Sequence, residues 1–113
     1  MGSKSQRKGA DDKQKLTAVL CGYGYHVKRG GSMSFGEVPD LTGLPGIHIE
    51  VKRRERLNVP EAMKQAQRDS ERFKDGAPTV FHRRSRESWL VTMRLVDWMA
   101  LYSGKNTEKE GQI

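Results

Sequence analysis

The chain of 113 residues has little of what marks secreted and membrane proteins. Its single cysteine, Cys21, cannot form an intramolecular disulfide, which favours a reducing compartment. No apolar run is long enough to span a bilayer, and the basic start MGSKSQRKG is not followed by the apolar stretch of a secretion signal. Aromatic residues are only 7% of the chain and form no stacking platform for single-stranded RNA. We therefore expect an intracellular, cytoplasmic protein without a membrane partner.

Positive charge is in excess. Lys and Arg number 21 against 14 Asp and Glu, for a formal net charge of +7, and the excess recurs in QRKGADDKQK, EVKRRERL and HRRSRESW. A polyanion such as nucleic acid is the natural partner of such a chain. Charge alone is equally compatible with a soluble protein that keeps its net charge away from zero. The choice between these readings depends on the motifs.

The apolar pattern predicts one domain with alternating helices and strands. A helix from about Lys8 to Cys21 precedes a short strand in YHVKR, the glycine-rich GGSMSFGEVPD and a hairpin in LTGLPGIHIEVKR, with Pro45-Gly46 at the centre of a type II turn. A second helix opens near Pro60 and ends before Gly76, followed by strands in PTVFH and SWLVTM and a helix in LVDWMALY. This order predicts a single-domain α/β fold, a mixed central sheet flanked by helices. We expect the domain to span residues 8–102, between a flexible basic segment, 1–7, and a disordered tail, 103–113.

Strict alternation in IHIEVK separates two faces of the predicted strand. The apolar residues Ile47, Ile49 and Val51 are expected to face the core, and His48, Glu50 and Lys52 to share the opposite face. His48 is expected at the surface or in a peripheral phosphate contact. The preceding hairpin allows Asp40 to approach Glu50.

Two carboxylates that come together repel each other unless a cation lies between them. Oxygen ligands from Asp40 and Glu50, with the backbone carbonyl of Val51, suit Mg²⁺ or Mn²⁺. Lys52 beside them could orient a water molecule and stabilise a phosphate under attack, which is the minimum for hydrolysis of a phosphodiester. Taken alone, the same pattern is also that of a solvated edge strand in which Asp40 only starts a turn.

The stretch PDLTGLPGIHIEVKR closely resembles the PD-(D/E)xK nuclease superfamily. The wider arrangement, over roughly residues 6–102, is similar to small archaeal-type Holliday junction resolvases and their phage relatives. The resemblance implies a restriction-endonuclease-like core, with Asp40, Glu50 and Lys52 as catalytic residues and Gln65, in EAMKQAQRD, as a fourth. It implies a Mg²⁺-dependent or Mn²⁺-dependent homodimer that resolves four-way DNA junctions by phosphodiester hydrolysis without a small-molecule cofactor. The alternatives are a flap, nick or general duplex endonuclease on the same fold, or an inactive DNA-binding relative.

One position departs from the family pattern. The first helix of the family carries a metal-binding Glu four residues after a Lys-Gly step, which matches Lys8-Gly9 here, but this chain has Lys13 at that position. Either Asp12 reaches the metal through a shifted helix, or the metal has fewer ligands, or catalysis is weakened. An active enzyme is the preferred interpretation, with Asp12 as a further candidate metal ligand.

Other residues are expected to contact DNA, mostly through its phosphates. They lie on the first helix, in the glycine-rich connection and at the ends of the strands. The predicted set is Lys8, Lys13, Arg29, Ser32, Ser34, Arg53, Arg54, Arg83, Arg84 and Arg86. Trp89 and Trp98 are expected to pack in the core or at a subunit interface.

Overall fold

The structure, a computed structural model, describes residues 2–30 and 38–111, with the side chains of 11–30 and 38–104. The described residues form three helices and five strands. They are α1 (Gly2–Gly22), β1 (Lys28–Arg29), β2 (Leu41–Thr42), β3 (Ile47–Arg53), α2 (Val59–Phe73), β4 (Ala77–Arg83), β5 (Leu90–Met93) and α3 (Leu95–Gly111). The strands form one sheet in the order β1-β2-β3-β4-β5, in which β3 and β4 are parallel and every other pair is antiparallel. This confirms the predicted α/β fold with a mixed sheet.

Helix α1 begins at Gly2 and helix α3 ends at Gly111. The limits of the domain, 8–102, and the flexible segment and disordered tail on either side of it remain predictions. Within the described part of the chain, no helix is both long and apolar enough to cross a membrane.

The turn before β3 fixes where that strand begins. The N–H of Ile47 donates to the carbonyl of Leu44 over 3.0 Å, and Gly46 has a φ of +83°. These are the features of a type II turn with Gly at its third position, as predicted. The carbonyl of Gly46 also accepts a 2.8 Å hydrogen bond from the N–H of Ala77. The turn therefore sets the start of β4 as well as that of β3.

Helix α1 covers one face of the sheet. Leu16 of α1 packs in a buried cluster with Ile49 and Val51 of β3 and Phe81 of β4, and Trp89 lies against that cluster. Ile49 and Val51 are odd-numbered residues of β3, which alternation assigned to the core. The predicted apolar face of β3 is thus confirmed.

Helix α2 covers the other face. Asn58 caps its first turn by accepting a hydrogen bond from the N–H of Glu61 over 3.1 Å, and a proline fits this turn because its missing N–H is not needed there. Small residues on its inner face, Ala62 and Ala66, then pack on Val80 of β4. Both faces of the central strands are consequently covered by helices.

The expectation that His48 lies at the surface is wrong. Its side chain is only 1% exposed, and the ring of Phe73, at the end of α2, stacks on it with centroids 6.3 Å apart. Parallel strands are usually covered on both faces, and the pair of β3 and β4 follows that rule. The polar face of β3 is therefore enclosed by the protein.

Helix α3 presents apolar side chains to solvent. The Trp98 ring stacks on Tyr102 with centroids 5.4 Å apart, yet Trp98 remains 49% exposed. Trp89, by contrast, packs against the core. The two tryptophans therefore have different surroundings.

Candidate active site

Asp40 lies beside β3, directly before β2 begins. Its Oδ2 accepts a hydrogen bond from the N–H of Val51 over 2.9 Å, and its Oδ1 is 3.1 Å from the Nζ of Lys13. The N–H and C=O of one strand residue point to the same side, so the Val51 carbonyl faces this edge too. The hairpin thus brings Asp40 and the Val51 backbone together.

Glu50 is a buried carboxylate, only 6% exposed. Its Oε2 accepts a 3.4 Å hydrogen bond from Nε2 of Gln65 on α2, and its Oε1 is 3.4 Å from Nε2 of His48. Burial is the main reason that the pKa of Glu50 is raised, and the negative charge of Asp40 raises it further, against the hydrogen bond from His48 and the charge of Lys52. A cation beside Glu50 would relieve this cost of burying its charge.

His48 links Glu50 to a carboxylate that the sequence analysis did not single out. The Nδ1 of His48 is 2.8 Å from Oδ2 of Asp75, which follows α2. Burial by itself would lower the pKa of His48, but the hydrogen bonds to Glu50 and Asp75 outweigh it and raise the pKa. The imidazole is therefore held between two carboxylates, with its ring orientation fixed.

A third carboxylate lies on α2. Single atoms from His48, Glu50 and Asp69 come within 4.8 Å of one another, close enough to hold a metal ion. Asp69 comes one helical turn after Gln65, so helical spacing could have identified it. Asp75 lies beyond the end of the helix, where no periodic pattern indicates its direction.

Lys52 shares the face of Glu50, and its charge lowers the pKa of that carboxyl. Across the sheet Lys52 is paired with His82 of β4. The structure therefore brings together Asp40, Glu50, Lys52, Gln65 and the Val51 carbonyl around one stretch of β3.

Asp12 lies in a different place, on the α1 side of the sheet. Its Oδ2 is 3.0 Å from Nε of Arg53, and its Oδ1 accepts a 2.8 Å hydrogen bond from Nη2 of Arg83. The Arg83 guanidinium lies 4.9 Å from the ring centroid of Trp89. Both oxygens of Asp12 are thus used by arginines, and we name Asp12, Arg53 and Arg83 the buried ion cluster.

The remaining predicted DNA contacts lie on exposed loops and on the sheet edge. Arg54, Arg84 and Arg86 are exposed at the C-terminal ends of β3 and β4, where they line a groove of about 730 Å³, and Arg29 is exposed on β1. The side chain of Lys8 and both Ser32 and Ser34 lie outside the described residues. His82 also lines the groove, and His82 is the β4 residue paired with Lys52 of β3. The groove therefore lies next to Lys52.

The fold of the chain is shared with a solved archaeal structure. The chain is similar in structure to Hjc of Archaeoglobus fulgidus, a Holliday junction resolvase from an archaeal hyperthermophile, with a TM-score of 0.55 and 22% sequence identity over 76% of this chain and 72% of that one. No protein-family model matches the sequence, and no curated protein matches it.

Proposed function

We propose that the chain is a divalent-metal-dependent endonuclease that cuts four-way DNA junctions. The observation that carries the proposal is the buried Glu50 carboxylate beside Asp40 and Lys52, on the hairpin of a fold shared with a Holliday junction resolvase. A buried carboxylate with a raised pKa, near another acid and a lysine, is a frequent arrangement at active sites. The reaction would be hydrolysis of a phosphodiester by water.

The donor set fits Mg²⁺ or Mn²⁺. Asp40, Glu50 and the Val51 carbonyl are hard oxygen ligands, and Asp69 adds a further carboxylate close to Glu50. A bound ion of this kind lowers the pKa of a water that it holds and stabilises negative charge on a phosphodiester. The burial of Glu50 supports the assignment, because a cation would offset the cost of its enclosed charge.

Lys52 acts on the phosphate, and Gln65 acts on the Glu50 carboxylate and the attacking water. Lys52, on the face of Glu50, provides a positive charge and hydrogen bonds for phosphate oxygens that gain charge during attack. Gln65 donates its amide N–H to Glu50, which holds that carboxylate in place. Its amide carbonyl can accept a hydrogen bond from the attacking water.

DNA would lie along the groove that adjoins Lys52. Arg54, Arg84 and Arg86 are exposed there, whereas Arg53 and Arg83 point into the buried ion cluster and are not proposed as phosphate contacts. We expect Arg86→Ala to weaken junction binding and to reduce the slope of log affinity against log salt by about one. Fluorescence anisotropy at several salt concentrations measures that slope. An unchanged slope would place the DNA elsewhere.

A second copy of the chain completes the proposed enzyme. A four-way junction has two strands to cut, and each chain carries one site, so a two-fold homodimer fits the substrate. Apolar residues exposed on β5 and α3 form a surface of the kind that mediates subunit contact. They are Leu90, Val91, Leu95, Val96, Trp98, Met99, Leu101 and Tyr102.

Sedimentation of the purified chain tests the dimer. We expect a dimer for the native chain and for the control Tyr23→Glu, which changes an exposed aromatic residue directly after the end of α1. Trp98→Glu should give a folded monomer, because a charge in an apolar interface lacks a partner. A native monomer at micromolar concentration would contradict the proposed assembly.

Junction cleavage tests the function. A labelled immobile four-way junction and a linear duplex of the same sequence are incubated with the native chain, with Glu50→Gln and with Glu71→Gln, in Mg²⁺ or EDTA. Glu71 is an exposed glutamate on α2, so its variant has the same charge change as Glu50→Gln. We expect paired nicks in the junction that need Mg²⁺ and Glu50 but not Glu71.

The other outcomes identify the alternatives. Equal cutting of the junction and the duplex would indicate a flap, nick or general duplex endonuclease. Binding without cutting under every metal condition would indicate an inactive DNA-binding relative, which the ion pair between Lys13 and Asp40 favours among the alternatives.

A further inference from the structure

Lys13 lies where its ammonium neutralises Asp40. Its Nζ is 3.1 Å from Oδ1 of Asp40, while the other carboxylate oxygen accepts the Val51 N–H. The ion pair is partly shielded from water, since the two side chains are 31% and 19% exposed. Both oxygens of this candidate metal ligand therefore have partners within the chain.

The position of Lys13 is set by the packing of its helix. Asp12, the preceding residue, is held in the buried ion cluster, and Leu16, one turn later, is 1% exposed in the core. The carbonyl of Lys13 accepts a 2.7 Å hydrogen bond from Thr17 Oγ1. Because the backbone on both sides is anchored, the lysine stem starts at a defined distance from Asp40.

We propose that Lys13 is a built-in cation of this site that competes with the divalent metal for Asp40 and weakens metal binding. The inference rests on the proposed function, in which Asp40 is a metal ligand. An incoming ion must share Asp40 with the ammonium or displace it, and in either case the ion pair between Lys13 and Asp40 is weakened at the expense of metal affinity. Removal of that charge should tighten metal binding by about tenfold, the size expected for a partly shielded ion pair.

Mn²⁺ binding to the DNA-free chain, measured by calorimetry, tests the proposal without any need for cleavage. Lys13→Met removes the charge and keeps an unbranched side chain. Lys15→Met is the matched control: Lys15 is on the same helix and pairs with Asp11 over 3.0 Å, so the net charge changes equally away from the site. Each variant is first checked by thermal melting, and Lys13→Gln serves in place of Lys13→Met if that variant does not fold.

The expected result is a Kd for Mn²⁺ about tenfold lower in Lys13→Met and unchanged in Lys15→Met. In an Asp40→Asn background, Lys13→Met should have no further effect, because the shared carboxylate is gone. Equal tightening by both lysine variants, or an effect that persists in Asp40→Asn, would overturn the proposal in favour of a general charge effect.

Failure of this inference differs from failure of the proposed function. If native chain and Lys13→Met bind Mn²⁺ equally and Asp40→Asn binds it more weakly, Lys13 does not compete, whereas the metal site stands. If neither the native chain nor any variant binds Mn²⁺, the proposed metal site is overturned and the role of Lys13 with it.

Discussion

Replacement of Asp12 by Asn should destabilise the protein without changing its affinity for metal. Asp12 is 3% exposed and uses one oxygen for each of two arginines. Asn keeps the shape of Asp but has one acceptor oxygen in place of two. Its NH₂ group, a donor, then faces the N–H donors of either Arg53 or Arg83, and that arginine loses its partner. Breaking a buried ion pair costs about 3–5 kcal/mol. The lower end applies here, about 3 kcal/mol, because the arginine side chains retain 17% and 15% exposure and regain some hydration.

Urea unfolding followed by circular dichroism measures this loss. A change of about 3 kcal/mol is a large share of the total stability of a domain this size and corresponds to a Tm lower by about 10–20 °C. Asp11→Asn is the control, since Asp11 forms an exposed ion pair worth at most about 1 kcal/mol. A loss below about 1 kcal/mol in Asp12→Asn, or weaker Mn²⁺ binding at unchanged stability, would refute the structural role and return Asp12 to the metal site.

Two further changes test the fold. Gly76→Ala should lower the free energy of unfolding in urea by about 2–4 kcal/mol, because Gly76 has a φ of +128° and an added Cβ would clash with backbone atoms of Gly46. The control Gly104→Ala, in open space on α3, should leave the free energy of unfolding unchanged. Equal stability of both variants would contradict the close approach of Gly76 to Gly46. Burial lowers the pKa of His82 below its ordinary 6.5, so the unfolded chain takes up a proton first as the pH falls through 6.5 and the free energy of unfolding decreases. His82→Gln should reduce that slope between about pH 5 and 7. An unreduced slope in His82→Gln would argue against the burial effect.

The elements were predictable because their signals are local. Pro45-Gly46 specifies a type II turn through the dihedral angles of the two residues themselves, and the turn has that form. Pro60 and the small residues Ala62 and Ala66 indicate where α2 begins and which side packs inward. Such signals need no knowledge of the rest of the chain, so the order of helices and strands followed from them.

The surroundings of the site were less accessible to sequence reasoning. Alternation assigned His48 and Glu50 to one face, but it does not say what covers that face, and α2 encloses both side chains. The partner of Lys13 was also missed, because contact between α1 and Asp40 depends on how the helix docks on the sheet. These features arise from tertiary packing, which a single sequence pattern does not encode locally.

The buried ion cluster also affects the order in which the chain can fold during synthesis. Asp12 and Arg83 are separated by 71 positions, and Arg53 lies between them in the sequence. The ribosome therefore produces Asp12 of α1 long before Arg83, the second of the two arginines that this buried carboxylate pairs with. Closing so long a loop is entropically costly. A nascent chain that stops before β4 would have to bury Asp12 with one of its two partners missing. We expect stable docking of α1 only after Arg83 has left the ribosome, so this helix, which is made before β3 and β4, is among the last elements to reach its final place.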